Sequence, residues 1–319
     1  MESTGKYLIP VFNILEERGI HVIIANSKWV KAVKGNKDDT KDSKWIGDLF
    51  RLGIVPGSFI PPKNIRVLRK FTRYRYKLVS MKSSEKNRFQ NAFTVCNIAL
   101  DSVVSDKFGS SASAITDYII LSDSFNPDYC RREHLSAIDH SIAIIDNAIF
   151  QMASEYKFLI SLLSTIPGID RNSAINIIPE IDTDVDVFGS HKRLCRGAGL
   201  TPGNNESAGK KKSVRISRAG VYLKPALVQV AHTAVKSTAS PYYRLKYEQL
   251  SKRSGKKRAI IAIARMILSA VFSILKTGEV WNPTDLFIVD LPEHLKELQR
   301  VKAIKQALKF LQSQGVLSS

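Results

Sequence analysis

Residues 197–218 read GAGLTPGNNESAGKKKSVRISR, from Gly197 to Arg218. Gly197, Gly199, Pro202, Gly203, Asn204, Asn205 and Gly209 disfavour a helix or a long strand, so the stretch reads as a turn-rich loop. Ser207 stands in its middle. Lys210, Lys211, Lys212, Arg215 and Arg218 follow with no acidic residue among them. A hydroxyl on a permissive loop beside a dense cationic cluster suits a group that faces phosphate; a solvated basic loop with an ordinary serine is the other reading of the same residues. Past the loop, Tyr222–Val235 and Ala259–Leu275 have the apolar density of packed core helices. This end of the chain therefore reads as a helical domain that carries the loop.

Working outward, LLSTIPGIDRNSAINIIPEI precedes the loop. Ile166-Pro167-Gly168-Ile169 followed by Ala174 is similar to a helix-hairpin-helix element, whose tight turn aims backbone N–H groups at a DNA phosphate. Asp170 stands where that motif usually has a second glycine, and a plain tight αα turn also fits. Tyr242, Tyr243, Arg244, Tyr247, Lys252, Arg253, Lys256, Lys257 and Arg258 form a second cationic and aromatic segment. Residues 292–314 read as a basic amphipathic helix.

Upstream, residues 133–163 have helical spacing through Leu135, Ile138, Ile142, Ile145 and Ile149, suited to a helical hairpin or a self-association helix. Residues 101–130 read as irregular. Residues 61–100 read as a long helix, and positions 63–88 hold Arg66, Arg69, Arg73, Arg75 and six further cations against the single acid Glu85. With Phe71, Tyr74 and Tyr76 interleaved, this helix can follow a phosphate backbone and offer rings to unstacked bases; a solvated face normally mixes both signs. Residues 1–60 read as an α/β fragment, with a helix through Tyr7–Leu15, a strand at Val22–Ala25 and a helix at Thr40–Leu52.

At 319 residues the chain can bury two cores, and its formal net charge of +19, from 48 Lys and Arg against 29 Asp and Glu, points to polyanionic partners. Three cysteines, Cys96, Cys130 and Cys195, are too few and too scattered for a disulfide framework or a zinc cluster. No signal-peptide pattern opens the chain, and no apolar run reaches the length of a membrane span, so the expected setting is the cytoplasm with no membrane partner. An anionic-membrane role has only the C-terminal helix behind it.

Asp39 and Asp42, in KGNKDDTKDSKW, lie three residues apart at the mouth of a predicted helix, so both carboxylates can share one face. Paired hard oxygens of this kind suit Mg²⁺. Acids favoured by the helix macrodipole, or paired with Lys37, Lys41 and Lys44, explain the same pattern.

Taken together, MESTGKY, GNKDDTKDSKW, SFIPPKNIRVLRKFTRYRYKL, TIPGI and GLTPGNNESAGKKKSVRISRAGVYLKPAL are motifs whose order resembles the bridge-RNA-guided transposases of the IS-one-ten (IS-eleven-eleven) insertion-sequence family, over nearly all of residues 1–280. The resemblance implies a fold that is α/β plus mostly α. It comprises a RuvC-like (ribonuclease H-like) domain at 1–60, linking helices with nucleic-acid contacts at 61–160, a helical serine transposase domain at 161–280 and a basic helix at 281–319. In that family four acids, ordered Asp, Glu, Asp, Asp, bind Mg²⁺. The resemblance makes Glu2 the second of them and Asp39 and Asp42 the third and fourth. It makes Ser207 the nucleophile that holds DNA as a phosphoserine. It also implies a structured guide RNA, DNA as substrate, and dimers that pair into tetramers.

The first acid of the family lies upstream of Met-Glu-Ser-Thr-Gly, so the resemblance leads us to expect an N-terminally truncated RuvC-like domain and an inactive copy. Two functions of different class remain open at this point. One is a DNA transposase acting through Ser207. The other is a non-catalytic protein that binds RNA or DNA through Arg66, Arg69, Arg73, Arg75 and Lys256, Lys257, Arg258.

Overall fold

The computed structural model describes residues 1, 5–26, 39–55, 57–122, 128–202, 205–207, 210–213, 215–238, 240–283 and 293–313. It is mostly helical, and it divides into two compact units, Met1–Pro62 and Lys63–Ser319.

The first unit is small. A helix α1, Leu8–Glu17, is followed by strand β1, Ile24–Ala25, helix α2, Asp39–Arg51, and strand β2, Gly57–Ser58. The two strands pair antiparallel, Ile24 opposite Ser58 and Ala25 opposite Gly57. The terminal ammonium of Met1 donates to the Ile23 carbonyl at 2.8 Å, and the Ala25 N–H donates to the Met1 carbonyl at 2.8 Å. Phe12, Ile24 and Ala25 are buried, whereas Tyr7, Val11, Ile14, Ile20, Phe50, Leu52 and Ile54 are exposed.

The second unit begins with a long helix α3, Lys63–Val95; the short helices α4, Leu100–Val103, and α5, Ser110–Ser122, follow, and a returning helix α6, Asp128–Met152, pairs with α3. Their ion pairs give the register: Arg75 with Asp146, Lys82 with Asp139, and Glu85 close to His134. Each step forward on α3 meets a step back on α6, so the two helices are antiparallel. Residues 110–122 are helical rather than irregular; Ala112 and Thr116 are buried, and Arg132 bonds the Thr116 hydroxyl and pairs with Asp117. Tertiary contacts on one face thus outweigh the weak helical signal of a serine-rich segment.

The remaining helices pack around one another as a bundle. They are α7, Lys157–Leu163, α8, Arg171–Ile181, α9, His191–Gly197, α10, Leu223–Lys236, α11, Tyr242–Ser254, α12, Lys256–Thr277, and α13, Glu293–Ser313. One hydrophobic core runs from Ile65 and Leu68 on α3 and Ile138 on α6 to Leu227 and Ile263, with Phe310 of α13 packed against it. By length and composition, helix Lys256–Thr277 is apolar enough to cross a membrane, contrary to the sequence reading of no such run. Its Ile263, Ala264, Ile267, Leu268 and Val271 are completely buried among α9, α10 and α11, so here it is the central helix of a bundle.

Between α7 and α8 the TIPGI turn forms as a tight helical corner. Gly168 lies so close to α10 that a Cβ there would stand 2.7 Å from both the Ala234 Cβ and the Val230 carbonyl oxygen. Asp170 N-caps α8, its carboxylate accepting from the Ser173 N–H at 2.8 Å. That explains an aspartate in place of a second glycine: it satisfies a helix donor that a glycine would leave to solvent.

Candidate nucleic-acid interface

Helix α9 ends in a glycine corner. The Gly199 N–H donates to Arg196 and the Leu200 N–H to Cys195, while Gly199 takes φ +69. Such a left-handed residue closes a helix C-terminus with little strain only as glycine. Twenty-one positions on, Gly220 takes φ +68 before α10. The two corners touch reciprocally. A Cβ on Gly199 would stand 2.4 Å from the Ala219 carbonyl oxygen, and one on Gly220 would stand 2.3 Å from that of Ala198. Backbone lies directly on backbone here, and no side chain fits at either position.

This crossing forms the neck of the loop that contains Ser207. Above it, Pro202 bridges Ile216, and strands β3, Asn205–Ser207, and β4, Lys210–Ser213, pair antiparallel with an irregularity between Asn205 and Glu206. Ser207 is registered opposite Lys210 and Glu206 opposite Lys211. The loop is therefore a short hairpin, and Lys212 lies on its outgoing strand. The side chains of Ser207, Lys210, Lys211 and Lys212 lie outside the described residues. Arg215 and Arg218, on the way back to the neck, are exposed. Lys224 Nζ donates to the Ser217 carbonyl at 2.6 Å and ties the returning strand to α10.

Several cations of α3 meet partners within the second unit. Arg73 makes a bidentate pair with Glu180, 2.6 Å to Oε1 and 2.8 Å to Oε2, and its guanidinium lies 4.7 Å from the centre of the Tyr222 ring. Hydrogen bonding to Glu180 raises its pKa further above an already high value. Arg69 donates to the Pro179 and Glu180 carbonyls at the end of α8, and burial pushes its pKa down. Arg75 forks onto Asp146 of α6. Three of the four arginines read as phosphate contacts thus join α3 to the rest of its unit. Their partners sit about 70 to 110 residues away in the chain, which is why composition alone could not find them. Arg66 is half-buried. Lys70, Lys77, Tyr74 and Tyr76 are exposed, and Tyr76 makes an edge-on contact with Tyr222 at 5.5 Å.

Lys256, Lys257 and Arg258 are exposed in the first turn of α12. Three cations at a helix N-terminus oppose the macrodipole, at a cost of about 0.3–1 kcal/mol each. Helix stability does not account for them.

Asp39 opens α2 and Asp42 follows one turn later, with their side chains outside the described residues; Glu2 lies outside them altogether. Among the described residues, no group of three His, Cys, Asp or Glu side chains converges as a metal site. His134 is half-exposed near Glu85, as an ordinary surface histidine.

Two family models match the chain. Residues 1–98 match the model DEDD_Tnp_IS110, described as a transposase, and residues 160–248 match the model described as the Transposase IS116/IS110/IS902 family. The chain thus carries IS110-family transposase domains in that order. Transposases bind DNA, and a DEDD transposase domain points to dependence on a divalent metal. No curated protein matches the chain. The first match runs past Pro62 into α3, and the second spans the TIPGI turn, the neck and the whole Ser207 hairpin.

Proposed function

We propose that the chain is a DNA transposase in which Ser207 is the nucleophile and structured RNA selects the DNA. The observation that carries this reading is the pinned hairpin: a backbone crossing at Gly199 and Gly220 holds out a strand pair with Ser207 opposite Lys210. A nucleophile needs fixed placement and neighbouring positive charge more than it needs an extended surface.

In the proposed step, the Ser207 oxygen attacks a DNA phosphorus. The P–O bond to one strand end breaks, that end leaves as a free hydroxyl, and the serine proton balances it. The other end stays joined to the serine as a phosphodiester, so bond energy is conserved and no ATP is needed. Lys210, Lys211, Lys212, Arg215 and Arg218 neutralise the phosphate. Glu2, Asp39 and Asp42 are the carboxylates proposed to hold Mg²⁺, and the chemistry supplied there is Lewis-acid activation of the hydroxyl and stabilisation of the leaving oxygen. The cytoplasm is the proposed setting, and a dimer or tetramer the proposed assembly. A partial RuvC-like fold is the proposed architecture of residues 1–60.

A suicide DNA substrate with its matching RNA tests the reading. A covalent protein–DNA adduct that needs a divalent ion and disappears in Ser207→Ala supports it. Salt-sensitive binding with no adduct supports the second reading, a non-catalytic RNA- or DNA-binding protein. The observation behind that reading is the exposed cationic turn Lys256, Lys257 and Arg258, which serves binding without requiring chemistry.

A further inference from the structure

Beside the neck lies a cleft of about 860 Å³. Its floor is an unusual stripe on α12. Arg265, Ser269, Ser273 and Thr277 recur every four residues, giving a polar line along a helix whose other faces are buried and apolar. One wall is the start of α9 with Lys192, and Thr201 at the root of the hairpin closes that side. The opposite wall is residues 279–283, where the Trp281 N–H donates to Thr165 Oγ at 2.9 Å and the indole packs edge-on to Tyr242 at 5.6 Å. Trp281 is therefore held in place and is still partly accessible.

Charge in the cleft is of one sign apart from a single acid. Among the described residues, Lys192, Arg265 and His191 line it with Glu279 as the only carboxylate, and neither Lys192 nor Arg265 is paired with an acid. Arg265 is exposed in the middle of α12, two turns before Ser273, which is also exposed. Its guanidinium is therefore open to an anion entering the cleft. The volume falls within the roughly 300–1,000 Å³ of small-ligand sites. An indole edge, a row of hydroxyls and two unpaired cations together match one unstacked nucleotide, with a base for the ring, sugar hydroxyls or base edges for the serines, and phosphates for Lys192 and Arg265.

We propose that this cleft receives an unpaired nucleotide of the nucleic-acid partner, next to the root of the Ser207 hairpin. The inference rests on the reading of the chain as a nucleic-acid-processing protein, but not on Ser207 chemistry. Arg265, Ser269, Ser273 and Trp281 lie beyond residue 248, outside both matched stretches. The shared chemistry is that of a single-stranded nucleotide, and two probes separate its sources.

The test uses the full chain with Trp29→Phe and Trp45→Phe, which leaves Trp281 as the remaining indole among three. Short oligothymidylate and oligouridylate strands are titrated in parallel, following Trp281 fluorescence and the anisotropy of a labelled strand. The expected result is saturable quenching by one or both strands, the stronger identifying DNA or RNA. Lys192→Gln and Arg265→Gln should each weaken binding by about tenfold, as for a lost charged hydrogen bond. Ser273→Leu, an exposed change that keeps every charge, should abolish quenching while the fold stays intact by circular dichroism.

Strand binding that leaves Trp281 fluorescence unchanged, or equal affinity in Ser273→Leu, overturns the proposal. So does a change in sedimentation of Ser273→Leu with binding unaltered, which would make the cleft a surface between copies. Quenching without a Ser207 adduct keeps this inference while refuting the proposed strand chemistry; an adduct without quenching does the reverse.

Discussion

Replacing Gly220 by alanine tests the neck on which the proposed site depends. Two costs add. The backbone must hold φ +68 with a Cβ present, about 1–2 kcal/mol for a left-handed residue. The new methyl must also sit 2.3 Å from the Ala198 carbonyl oxygen and 2.7 Å from its carbon, so the two corners must separate. Overpacking against backbone costs about 1–3 kcal/mol more, because no flexible side chain is available to yield. Gly278 is the matched control: it has φ +72 with nothing within 4 Å of its would-be Cβ. Gly278→Ala should therefore show the first cost alone, and the difference between the two variants isolates the crossing.

Urea unfolding followed by circular dichroism gives both values. Adduct yield on a suicide substrate then gives the functional consequence, which should exceed the loss of folded protein because the hairpin root is displaced. Gly199→Ala, colliding with the Ala219 carbonyl oxygen at 2.4 Å, should behave like Gly220→Ala. If Gly220→Ala and Gly278→Ala lose the same stability to within about 0.5 kcal/mol, the spread expected of sites without a specific defect, the crossing does not hold the neck and the argument fails.

Arg73→Ala should lower thermal stability, by about 1–3 kcal/mol after allowing for a half-exposed arginine, because Glu180 is left nearly buried with its main partner gone. The slope of log affinity against log salt for nucleic acid should not change; a fall of about one in that slope would return Arg73 to the phosphate-binding set. Replacing Lys256, Lys257 and Arg258 together by glutamine should do the opposite, reducing the salt slope by about 2–3 while leaving the helix as stable or slightly more so; an unchanged slope would show these cations to be idle. Burial pushes the Cys195 thiol up from its ordinary range, so at pH 8 iodoacetamide should label exposed Cys96 long before Cys195. With the folded pKa above the unfolded one, this thiol's contribution to stability is complete below the ordinary cysteine range and is lost as pH rises towards the folded value. Peptide mass spectrometry that finds equal labelling of both at pH 8 would refute its burial.

Much of the helical architecture was legible before any coordinates. The helices at 63–95, 223–236 and 256–277 follow from apolar spacing, and the glycine- and asparagine-rich stretch around Ser207 could not have continued a helix. Two things misled the reading. Serine-rich residues 110–122 have little helical preference of their own, and their helix is fixed by Arg132 reaching Thr116 and Asp117. The cationic row of α3 looked uniform because charge counted along one segment is blind to what faces it.

By itself the sequence determined the long apolar helices, the excess of positive charge and the turn-rich loop with one central serine, because spacing, composition and turn chemistry are local. The tertiary structure decided which cations are used up inside the fold. Arg69, Arg73 and Arg75 meet Glu180, the end of α8 and Asp146 only when distant helices pack. It also decided what Gly199 and Gly220 are for. Each is an ordinary loop glycine until the chain folds back and sets the two backbones in contact, leaving no room for a side chain between them.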